Sequence, residues 1–270
     1  MSTDNVNGDG AGPTREELVK EIAQSTMAGR VEPETVVSQM ELPSPSQAGT
    51  MYRIIVTNEM DEYDEPMPLA DMLQTTHAKL RKTGDTFKGT SRRAAKLSIP
   101  NALVEEFVDL QDLIDSLPSE EQMDHHVPPI TEDANSNRVI EERRNVRLHV
   151  WIYAASREKD NDFHLILGRA PGNIPEVFMT MELSGLPRSD SNSFARLKAA
   201  RDAYKRFFAN KMPGGGYHFY DPPIPVEIEG ALFFDITHLN SGTRPGPKKL
   251  RDRMPTIWEV HAITTIVFEP

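Results

Sequence analysis

Residues 144–156 read Arg-Asn-Val-Arg-Leu-His-Val-Trp-Ile-Tyr-Ala-Ala-Ser, and their alternation decides the fold class. Val146, Leu148, Val150, Ile152 and Ala154 fall on one side, and Arg147, His149, Trp151 and Tyr153 on the other. A period of two over so many residues is that of a strand with one face in a core. The polar string Glu158-Lys-Asp-Asn-Asp162 then reads as a hairpin turn, with 162–169 (DFHLILGR) returning as the second strand. A loop (APGNIP) leads to a third strand at 176–183 (EVFMTMEL).

Beyond it, Phe194, Leu197, Arg201, Tyr204 and Phe208 recur at helical spacing within 193–210, and Pro213 and three glycines close that segment. Residues 225–236 (PVEIEGALFFDI) form the fourth predicted strand, with Gly230 as a bulge or bend, and 256–268 form the fifth. Three strands, a helix and two strands in about 130 residues is the order of the OB-fold, a partly open five-stranded Greek-key barrel. The reading is therefore a mainly β C-terminal domain over 138–270. It is an OB-like barrel with one helix between strands 3 and 4.

Upstream the pattern is weaker, and a partly disordered, partly helical N-terminal region is expected. Residues 1–50 read as disordered segment and linker, with a short helix opened by the capping box Thr14-Arg-Glu-Glu17. A small region, 51–137, holds a strand at 51–57, a short helix around 69–82 and the turn-rich GDTFKGTSRR. Leu103, Phe107, Leu110, Ile114 and Leu117 predict an amphipathic helix over 101–117 that docks on the barrel.

Composition narrows the function classes. The 270 residues contain no cysteine, which excludes disulfides, thiolate metal sites and a cysteine nucleophile. No apolar run reaches the roughly 20 residues of a membrane helix. The first residues lack a signal peptide's basic and apolar regions, so a cytoplasmic location and no membrane partner are expected. The net charge of −11 is uneven. Residues 1–137 carry 25 acidic against 11 basic side chains, and 138–270 carry 16 against 19.

Two readings of function follow. In the first, the outer row Arg147, His149, Trp151 and Tyr153, with His164 on the next strand, forms a binding face. Aromatics interleaved with basic groups suit single-stranded nucleic acid or a protein segment as partner, with no cofactor. In the second, Asp160, Asp162, His164, Asp235, His238, Glu259 and His261 form the site of a metal-dependent hydrolase of the phosphodiesterase or nuclease kind. His164, Asp235, His238 and His261 are then the metal ligands, because imidazole and carboxylate suit a divalent ion and acid–base chemistry. Strand parity puts His164 outside the barrel, and Asp235 as well if Gly230 is no bulge, where a shallow site is expected.

Three strings resemble a pattern in uncharacterised bacterial proteins: DNDFHLILG (160–168), GALFFDITH (230–238) and TIWEVHAITTIVF (256–268). The pattern has a D-x-D-[FY]-H hairpin, a G-x-x-F-x-D-x-x-H segment and a closing W-E-[IV]-H-P strand. This chain departs from it at Ala262, so the closing strand is expected to differ locally there. Asp160 and Asp162 are also similar in spacing to the Asp-x-Asp hairpin of staphylococcal-type thermonucleases, which are OB-fold enzymes. That likeness implies Ca²⁺ on the two carboxylates. Downstream the chain reads VFMTMELSGLP in place of those enzymes' Arg and carboxylate motif.

Overall fold

The computed structural model describes residues 36–43, 51–60 and 84–268. The expected helices at 14–22 and 69–82, and the expected disorder of 1–13, lie outside the described residues. The strands are β1 (Val36–Pro43), β2 (Met51–Thr57), β3 (Val104–Phe107), β4 (Asn145–Arg157), β5 (Phe163–Gly168), β6 (Phe178–Leu183), β7 (His218–Phe234) and β8 (Trp258–Phe268). The helices are α1 (Arg93–Lys96), α2 (Leu110–Asp115), α3 (Glu120–Asp124), α4 (Phe194–Phe208), α5 (Ile236–Ser241) and α6 (Lys248–Arg251).

The eight strands of the described residues join one mixed sheet in the order β1-β2-β7-β8-β6-β5-β4-β3, and a further β7–β4 pairing closes five of them into a ring. The five strands expected downstream of residue 138 are those of the ring, and α4 falls between the third and fourth of them. The ring is not a regular barrel. Its β6–β8 pairing is parallel, and the β4–β7 and β7–β8 ladders are interrupted by register shifts.

Inside the ring, Val146, Leu148, Val150 and Ile152 of β4 meet Leu165 and Leu167 of β5, Met179 and Met181 of β6, and Val260 and Ile263 of β8. α4 adds Tyr204 and Phe208 to this core. Parity changes at Tyr153, where the pairing of β4 shifts. Ala155 thus joins the core, while Ala154, expected there, packs outside with Ile166, Phe178 and Tyr217. Gly230 sits at register shifts on both sides, as a bulge should. A Cβ there would come within 2.7 Å of the Ala262 carbonyl oxygen, so glycine lets β7 and β8 approach at this point.

Two expectations upstream are corrected. Residues 36–43, read as linker, form β1, which pairs antiparallel with β2, and β2 pairs with the first part of β7. The single helix over 101–117 is not formed. Val104–Phe107 pairs in parallel with Asn145–Leu148, and Asp109 then caps the short α2 by accepting a hydrogen bond from the Gln111 amide. The apolar spacing misled because it spans two elements: Leu103 is 91% exposed, whereas Leu110 and Leu113 are buried. Sheet pairing outweighed local periodicity.

Candidate metal centre

Outside the ring, strand register brings together side chains that are far apart in sequence. In β6, Met179, Met181 and Leu183 point inward, so Thr180 and Glu182 point outward. The β5–β6 ladder sets His164 opposite Glu182, and the parallel β6–β8 ladder sets Thr180 beside Glu259 and Glu182 beside His261. The 158–162 turn supplies Asp162, and α1 contributes Lys96. The result is a polar layer between the ring and its covering segments. Asp162, His164, Glu182, Glu259 and His261 are all at most 3% exposed.

His261 stands at the centre. Its Nε2 lies 2.7 Å from Ser184 Oγ and 3.5 Å from Asp162 Oδ2, and its Nδ1 lies 2.8 Å from Glu182 Oε2 and 3.6 Å from Glu259 Oε2. Nδ1 and Glu182 Oε2 thus pair with each other, whereas Glu259 Oε2 and Asp162 Oδ2 are buried without a hydrogen bond. Native interiors seldom leave such atoms unsatisfied, and each costs about 1–3 kcal/mol. Asp162 Oδ1, by contrast, accepts the Gly185 amide at 2.5 Å.

The electrostatics are those of crowded carboxylates. Burial raises Asp162 and Glu259 well above the usual carboxylate range, with Asp160 and Glu182 repelling the first and Glu182 and Asp235 the second. Burial also opposes ionisation of Glu182, but His261 and Lys96 outweigh it and hold its carboxyl well below the ordinary value. Burial lowers the His261 imidazole, and the Glu182 carboxylate opposes that shift. Lys96 is the converse: burial acts to neutralise it, but Glu182, Asp235, Asp160 and Asp162 keep its ammonium charged.

The other expected residues divide. His164 Nδ1 is 2.5 Å from Glu158 Oε1 and Nε2 is 3.3 Å from Thr180 Oγ1, so both ring nitrogens are engaged by side chains. Asp160 Oδ1 accepts the Asp162 amide, which is turn chemistry. Asp235 caps α5, and His238 lies one turn along it; with Glu259 their ligand atoms fall within 4.8 Å of one another. At least three expected residues therefore converge. They do so under cover, however, where parity predicted a shallow open site, because α1 and the 158–162 turn pack over the outer face.

The expected binding face is of another kind. Arg147 bridges Glu106 and Glu229, His149 lies 3.3 Å from Glu227, and the Tyr153 hydroxyl donates to the Arg169 carbonyl. Trp151 is half-buried on the same strand, while His164 belongs to the buried cluster instead. A cleft of about 840 Å³ opens between residues 86–101 and 186–196, and none of the cluster residues lines it. Arg93, Arg188 and Arg196 line it with Ser98 and Asn192, and α1 forms part of its wall.

Glu182, Lys96 and Ser184 were not among the expected site residues. The alternation Thr180-Met-Glu182-Leu-Ser184 in an otherwise apolar strand was the available signal for Glu182 and Ser184. Lys96 had none, since a long-range fold brings it there. Comparison of the chain with family models, curated proteins and solved structures finds no match in any of the three. No helix among the described residues is long and apolar enough to cross a membrane.

Proposed function

We propose that the protein is a metal-dependent hydrolase on an OB-like ring. A divalent ion is held by His261 Nδ1 and the Glu182 and Glu259 carboxylates, with Asp162 alongside, and the substrate is a phosphate ester. One observation carries this reading: Asp162, Glu182 and His261 are buried and each offers one ligand atom, all within 4.8 Å of one another, with the unpaired Glu259 Oε2 3.6 Å from His261 Nδ1. Metal bonds of about 2.0–2.2 Å separate adjacent ligand atoms by roughly 2.8–3.1 Å at right angles and about 3.3–3.6 Å at tetrahedral angles, and the observed 2.8 and 3.6 Å lie at the two ends of that span. Ser184 on the far ring nitrogen is the orienting partner such a histidine needs. One imidazole with several carboxylates suits Mn²⁺, Fe²⁺ or Zn²⁺.

An ion here would polarise a phosphoryl oxygen and acidify a bound water, and the charged Lys96 would offset negative charge beside it. The cleft carries Arg93, with Arg188 and Arg196 paired to Asp190 and Glu229. The interaction-module reading is weaker. Glu106, Glu227 and Glu229 already pair with Arg147 and His149 on the β4 face, and such carboxylates repel nucleic-acid phosphates.

The test uses the full chain stripped of metal. Mn²⁺ or Zn²⁺ at a hundred times its Kd should stabilise the fold by about 2.7 kcal/mol, and raise Tm by roughly 5–11 °C. Glu182→Gln, which keeps side-chain shape, should abolish the shift. Hydrolysis of bis(p-nitrophenyl) phosphate should be chelator-sensitive and lost in the same variant. No shift with either ion overturns the metal centre. A shift without hydrolysis of phosphate esters makes the ion structural and overturns the hydrolase.

A further inference from the structure

The polar layer continues past Glu259 into a second group, and we infer that it is a second divalent-cation position, so that the centre is dinuclear with Glu259 as the shared carboxylate. This inference rests on the metal centre proposed above. Asp235, His238 and Glu259 each offer one ligand atom, all within 4.8 Å of one another. Each residue is at most 8% exposed.

Local structure sets the orientation of these groups. Asp235 caps α5 with one oxygen, Oδ1 accepting the Thr237 amide at 2.8 Å. Its other oxygen lies 3.9 Å from His238 Nε2, too far for a hydrogen bond and within the distance that one ion with bonds of about 2.0–2.2 Å spans at a wide angle. The His238 ring is fixed by its Nδ1, 3.0 Å from the Thr243 carbonyl oxygen, which is the arrangement a metal-bound histidine has.

Glu259 ties the two positions together. It is 1% exposed, its Oε2 has no hydrogen bond, and that atom is 3.6 Å from His261 Nδ1. The Phe233–Glu259 and Phe234–Trp258 pairs of the β7–β8 ladder place it against the end of β7, from which Asp235 follows directly. One carboxylate thus faces His261 on its own strand and the Asp235–His238 pair on the neighbouring element. Ions sharing such a group lie about 3.5–4 Å apart, the separation that clamps the attacking and leaving oxygens of a phosphoryl displacement. The third group of this layer, Glu158, His164 and Glu182, does not extend the series, because both His164 nitrogens already have side-chain partners.

The experiment is metal stoichiometry. The stripped full chain is loaded with Mn²⁺, freed of excess and analysed by elemental analysis and by electron paramagnetic resonance. Two ions per chain with a spin-coupled signal are expected. Asp235→Asn should hold one ion with an uncoupled signal, because asparagine caps a helix as well as aspartate and α5 is kept. His238→Gln gives an independent second variant. One ion in the wild-type chain, or an unchanged coupled signal in both variants, overturns the dinuclear assignment while leaving the first position intact. No bound ion overturns both.

Discussion

The cover over the polar layer is anchored by one buried ion pair, and replacing either partner should unfold the protein at markedly lower temperature. Arg92 and Glu142 are both fully buried and bonded through two contacts, of 2.6 and 2.8 Å. The guanidinium also donates to the carbonyls of Phe234 and Asn137, and the carboxylate accepts the amides of Phe234 and Val139. The pair therefore fastens the residue preceding α1 to the end of β7. Glu142→Gln keeps the volume but turns an amide donor toward groups that are themselves donors. Breaking a buried pair from one side costs about 3–5 kcal/mol. At roughly 2–4 °C per kcal/mol for a domain of this size, Tm should fall by about 6–20 °C.

Arg92→Met should cost a similar amount, and the double variant Arg92→Met/Glu142→Leu should cost less than the sum of the singles by about 1–3 kcal/mol. It does not return to wild type, because the four backbone groups lose their partners in any case. Urea denaturation of the three variants at neutral pH, with unchanged m-values, measures this cycle. A single-variant loss below about 1 kcal/mol, or strict additivity, would refute the reasoning.

Two further outcomes follow from local geometry. Burial lowers His218 to about 4, so its unfolded form takes up a proton first as pH falls. Its stabilising contribution is complete above about pH 6.5 and is lost on descent toward pH 4, worth about 3 kcal/mol. His218→Phe should lose less stability than wild type between pH 7 and pH 4 in urea titrations; equal losses would contradict the assignment. At Gly185 a Cβ would stand 2.6 Å from the Phe87 Cα, in a segment held by the Phe87–Leu186 and Leu186–Asp85 backbone bonds. Gly185→Ala should therefore cost about 1–3 kcal/mol and expose residues 84–101 to limited proteolysis, and a wild-type digestion pattern would count against it.

The ring strands, their order and α4 were determined by the sequence itself, because alternation and helical spacing are local consequences of having one face in a core. The same parity placed His164 outside the ring, whereas for Asp235 it held only without a bulge at Gly230, and the bulge is there. What covers that face was decided only by tertiary structure. Lys96 and the Arg92–Glu142 anchor reach it through contacts between distant parts of the chain, and no local pattern encodes such contacts. The 101–117 segment shows the same limit, since its helical spacing was overruled by an available edge on β4. Glu182 lies between these cases. Its outward direction was readable from strand parity, but its place beside His261 came from the parallel register of β6 and β8, and that register exists only once the five strands have closed on one another.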